Sequence, residues 1–159
     1  MKINKWLNIG GIASAAASLL HVAILFGGPQ WYRFFGAGEG MAQLAENGSN
    51  SPLIVTMAIA IVLAIWAMYA FSGAGYIKQL PLLKPILLAI AIIYIMRGVL
   101  GIPLVFYIED PYLNELQEKL TFMIVSSSIS FGIGILYFVG WKQLFKHPTQ
   151  ENQLKNKGQ

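Results

Sequence analysis

Arg97 lies inside an apolar run, 85–107, that contains no acidic residue. A guanidinium carries a permanent charge and a planar fork of donors, so the chemistry it offers there is the grip of a carboxylate or a phosphate. An arginine facing lipid costs about 2.5–3.5 kcal/mol, and the residue is therefore expected to point into a bundle or a wet cavity. At about 1.5 Å per helical residue it stands roughly 18 Å from Pro85 and roughly 15 Å from Tyr107, too deep to reach either surface easily. No Asp or Glu occurs in any of the four apolar runs of the chain. The counter-charge must then fold in from a loop, with Glu39 the first choice and Glu109 and Asp110 the next, or arrive as an anionic ligand.

His21 is the second ionisable group in an apolar run, and Ser14, Ser18 and His21 share one helical face at intervals of four and three. A lone histidine in such a place either satisfies a packing bond or shuttles a proton. Without a second intramembrane His, Cys or carboxylate, neither a metal site nor bis-histidine haem ligation is expected, and His147 is remote. Ser126, Ser130, Gly134 and Tyr137 fall on one face of the last apolar run; they serve either close helix packing or a hydroxyl-lined wall. Tyr94 precedes Arg97 by one turn, and Trp66 and Tyr69 share a side of the second run. The ligand-binding set read from these patterns is Arg97, His21, Tyr94, Ser126, Ser130, Trp66 and Tyr69, with Arg33, Glu39 and Trp31 as lid or counter-charge. Gly36, Gly38 and Gly40 mimic a phosphate-binding loop, but no strand precedes them and no Lys-Ser/Thr follows, so no nucleotide cofactor is expected.

The elements that must position these groups are four runs of spanning length, 6–28, 52–76, 85–107 and 121–145. Backbone groups in hydrocarbon have to bond within their own segment, and the runs lack the alternation of a barrel, so the expectation is an all-α bundle of four transmembrane helices. Ser51-Pro52 and Asp110-Pro111 read as a capping side chain followed by proline at the first helical position, and Pro85 suits the same place. The Asp110 signal extends the fourth helix beyond the bilayer, back to Pro111. The connection 29–51 is long enough to carry structure; Trp31 to Phe35 is expected to lie on the membrane, and a short helix from Met41 to Glu46 ends at Asn47-Gly48. Residues 1–146 form the membrane domain, and 147–159 read as a polar, disordered tail.

With 56% hydrophobic residues among 159, the composition excludes an ordinary soluble domain. The net charge of +4 does not point to nucleic acid, because the Lys and Arg residues flank the apolar runs. Lys2 and Lys5, Lys78 and Lys84, and Lys142 and Lys146 mark the cytoplasmic side, which places both termini inside and the 29–51 loop outside, as in a bacterial inner membrane protein. The absence of cysteine removes disulfides and thiol chemistry. Three functions fit these features. The first is binding, transport or presentation of an amphipathic anionic or lipid-like ligand in a pocket opening outward. The second is an accessory subunit for another membrane protein or a further copy of this chain. The third is an intramembrane enzyme with His21 as acid or base.

Overall fold

The computed structural model describes residues 3–107 and 119–146. Six helices occupy them: α1 (Lys5–Gly27), α2 (Pro29–Phe34), α3 (Glu39–Glu46), α4 (Ser51–Ala74), α5 (Leu83–Tyr107) and α6 (Leu120–Lys146). Four of these, α1, α4, α5 and α6, are long and apolar enough to cross a membrane. Their surfaces carry large apolar side chains such as Leu19, Ile54, Ile92 and Ile129, each half exposed or more, which water would not tolerate but lipid does. The molecule is thus an all-helical bundle with the build of an integral membrane protein. The extension of the last helix to Pro111, the acidic residues Glu109 and Asp110, and the tail from His147 lie outside the described residues.

Helix boundaries follow local chemistry, with adjustments to the sequence expectation. Asn4 caps α1, its side-chain oxygen accepting from the Leu7 N–H at 3.3 Å while its amide donates to the Gly140 carbonyl at 2.8 Å. α4 begins at Ser51, and the Ser51 side chain is not its cap; the Ser49 hydroxyl accepts from the Ser51 N–H instead. α5 begins two residues before Pro85, which is tolerated because N–H groups of the first turn have no intrahelical acceptor. Gly75 closes α4 in the left-handed region at φ 95°, and the Tyr76 N–H returns to the Phe71 carbonyl. The connecting segment 29–51 carries more helix than the sequence expectation of a single short one from Met41, since Pro29 starts a further six-residue helix.

Two tight antiparallel pairs build the bundle, α1 with α4 and α5 with α6, and a lesser α1–α6 contact joins them; α4 meets α5 only thinly. Small residues set the intimacy of each pair. Ala70 and the Phe71 ring pack against Gly11, and Gly98 and Gly134 lie almost on the backbones of Phe131 and Ile95, with room for no side chain. The main core gathers Leu7, Leu63, Leu87, Ile90, Tyr94, Ile133 and Tyr137. A second, smaller core of Ile24, Tyr32 and Ala42 fastens α2 and α3 onto one end of the bundle.

Candidate functional site

The buried polar groups form a chain with one direction. Tyr137 of α6 donates to the Trp66 carbonyl of α4 at 3.0 Å, so its only proton is committed. The Ser14 hydroxyl of α1, 2.9 Å away, must then donate to Tyr137, which leaves the Tyr94 hydroxyl of α5, at 3.0 Å, to donate to Ser14. All four spanning helices are tied by these three bonds. Ser14 and Tyr137 are fully buried and Tyr94 nearly so, and Tyr94 stacks edge-on against Trp66 with ring centroids 5.0 Å apart. Ser18 adds a bond from α1 to the Ala60 carbonyl of α4 at 2.8 Å. Sequence patterns place Ser14 and Tyr137 on inward faces, but they do not disclose that the two meet.

Above this belt, towards the end that carries α2 and α3, burial falls along one face of each of three helices. Residues seven apart share nearly the same helix face, two turns removed. On α1, Leu7 and Ser14 are fully buried while His21 is half-buried; on α6, Tyr137 is buried while Ser130 is half-buried. On α5, Leu83 and Ile90 are buried and Arg97 is exposed. Met123 and the Ile24–Tyr32–Ala42 core are buried again beyond this level. His21, Ser130 and Arg97 are thus less buried than the residues two turns below them on the same helix faces.

Arg97 is the main departure from the sequence expectation. Its side chain is exposed, not enclosed by the bundle, and among the described residues it joins no ion pair. Glu39, its expected counter-charge, is taken by Arg33 through two bonds, Nε to Oε2 at 2.6 Å and Nη2 to Oε1 at 2.7 Å. Arg33 also donates to Glu46 at 2.8 Å, and Lys119 donates to the Arg33 carbonyl at 2.7 Å. The bidentate pair wins because Arg33 and Glu39 are only six residues apart and both lie at the wet rim, where neither has to be carried into hydrocarbon. The Arg33 hydrogen bond, reinforced by its charge, holds the Glu39 carboxyl down at about 2.

The remaining predicted residues fall into place individually. His21 Nδ1 stands 2.8 Å from the Ala17 carbonyl, which can only accept, so Nδ1 carries a proton and donates it there. Ser126 and Ser130 return their hydroxyls to their own helix, at the Met123 and Ser126 carbonyls. Trp66 and Tyr69 pack against the main core. Trp31 lies across Gly27, where even a Cβ would clash, and with Gln30, Phe34 and Phe35 it lines an open crevice of about 400 Å³. Helical spacing leaves Ser127 off the face of Ser126 and Ser130, yet it is 2% exposed and its Oγ has no hydrogen-bond partner among the described residues. Among the described residues no three His, Cys, Asp or Glu side chains gather as metal ligands would. Compared with family models, curated proteins and solved structures, the chain matches none of them.

Proposed function

We propose that this chain binds an amphipathic anionic or lipid-like molecule, to move or present it, in an intramembrane pocket opening at the α2–α3 end. The setting proposed is the bacterial inner membrane, with both termini cytoplasmic and α2–α3 outside, in accord with the lysines that flank the spans. One observation carries the reading: a permanently charged Arg97 stands open in the middle of a spanning helix with no ion-pair partner among the described residues. A charge in hydrocarbon requires compensation, and an anion with an apolar tail supplies it from the bilayer itself. His21 and Ser130, half-buried polar groups towards the same end, are the further polar contacts proposed for the ligand. Arg97→Gln should lower retention of dodecyl phosphate by tenfold or more, read by native mass spectrometry of the full chain in nonionic detergent; unchanged retention overturns the reading.

The same exposure favours one second reading, an accessory subunit whose membrane partner presents a carboxylate to Arg97. In that case the purified chain holds no dodecyl phosphate, and Arg97→Gln disrupts the complex with the partner instead.

A further inference from the structure

We infer that Ser127 and Arg97 together form a two-donor seat for an oxyanion, carboxylate or phosphate, over the bare backbone of Gly101; this rests on the ligand-binding reading above and names the atoms that hold the anionic end. Three observations converge on one point. The position a Cβ would take on Gly101 lies 2.6 Å from Ser127 Oγ and 3.3 Å from Arg97 Nη1. The Ser127 hydroxyl is buried and without a partner among the described residues, although its neighbours Ser126 and Ser130 both satisfy theirs on carbonyls of their own helix. A helical serine ordinarily does the same, and a buried hydroxyl with no bond is costly, so Ser127 is held ready for an acceptor that is not part of the chain.

The path of Arg97 agrees. Helical Cα–Cβ bonds tilt towards the N-terminus, so a side chain reaching the residue one turn later must fold back along its helix. Arg97 does so, and the missing side chain of Gly101 gives it the space. A guanidinium and a hydroxyl lying against the same glycine make a site that prefers an anion: the first neutralises charge, and the second adds a hydrogen bond that a cation cannot accept. Leu100 and Leu104, exposed on the same stretch of α5, offer a surface for an acyl tail.

The test uses the full chain in nonionic detergent with dodecyl phosphate as probe, inorganic phosphate as the head group alone and dodecanol as the uncharged control. Ser127→Ala should weaken dodecyl phosphate binding about tenfold, the worth of a hydrogen bond to a charged group, while leaving the thermal unfolding of the ligand-free protein unchanged or slightly higher because an unsatisfied hydroxyl has gone. Gly101→Ala should abolish binding, since its methyl would stand 2.6 Å from Ser127 Oγ and drive the two donors apart. Binding of dodecyl phosphate alone assigns the seat to a lipid head group, and competition by inorganic phosphate assigns it to a free anion; either supports it. If Ser127→Ala and Gly101→Ala bind as the wild type does while Arg97→Gln does not, the seat is wrong and the ligand reading survives. Equal binding by all variants, or equal binding of dodecanol, removes both.

Discussion

Tyr137 uses its hydroxyl twice, accepting from Ser14 and donating to the Trp66 carbonyl, whereas Tyr94 only donates. This asymmetry predicts a ranking. Tyr137→Phe leaves a carbonyl without its donor and Ser14 without its acceptor, and should destabilise the bundle by about 1–2 kcal/mol; Tyr94→Phe removes a single terminal bond and should cost about half as much. Chemical unfolding in detergent micelles, followed by circular dichroism, checks the order, and a reversed ranking would show that the bond direction has been misassigned. At this scale the sequence was partly legible. Inward faces follow from helical spacing, so Ser14, Ser18 and Tyr137 could be placed. Partners could not: depth and charge make Glu39 the first choice for Arg97, whereas the turn between α2 and α3 brings Arg33 within reach of it.

Among the elements, α2 and α3 depend on electrostatics more than the spanning helices do. Their shared apolar core is small, and Arg33 clamps one helix to the other through Glu39 and Glu46. Glu39 titrates at about 2 instead of the ordinary 4.5, so the clamp contributes its full stabilisation above that ordinary value and loses it as the pH falls through about 2. Emission assigned to Trp31, taken as the difference from a Trp31→Phe variant, should hold steady down to about pH 5 and shift only in more acid solution. In Arg33→Gln the shift should move up towards the ordinary carboxylate range; a midpoint unmoved by that substitution would detach the clamp from the titration. The spanning helices were readable because a run of apolar residues of bilayer length has one economical conformation. α2 was not, since six residues are too few to display a helical period, and its start rests on a proline that equally suits a turn.

For the whole molecule, the proposed orientation is open to direct measurement because the chain has no cysteine to mask. Asn47 and Gln79 are both exposed, at opposite ends of α4. Asn47→Cys should react with an impermeant maleimide on intact spheroplasts and Gln79→Cys only after permeabilisation; the opposite pattern inverts the topology, and equal reaction from one side denies that α4 crosses. Global arrangement was the least legible level. Length and hydropathy give four helices, but no local pattern encodes that α4 and α5 stand apart while α1 with α4 and α5 with α6 pair closely. That separation carries a mechanical consequence. Two stiff leaves, α1 with α4 and α5 with α6, share a spine along α1 and α6, and their free edges meet only lightly. Deformation of such a body concentrates at the free edges, because each leaf is locked by backbone-close packing that does not yield gradually. On the proposed reading, a guest dissolved in the leaflet would meet those edges from the side, a second way in besides the outer mouth and one that keeps its tail in oil throughout.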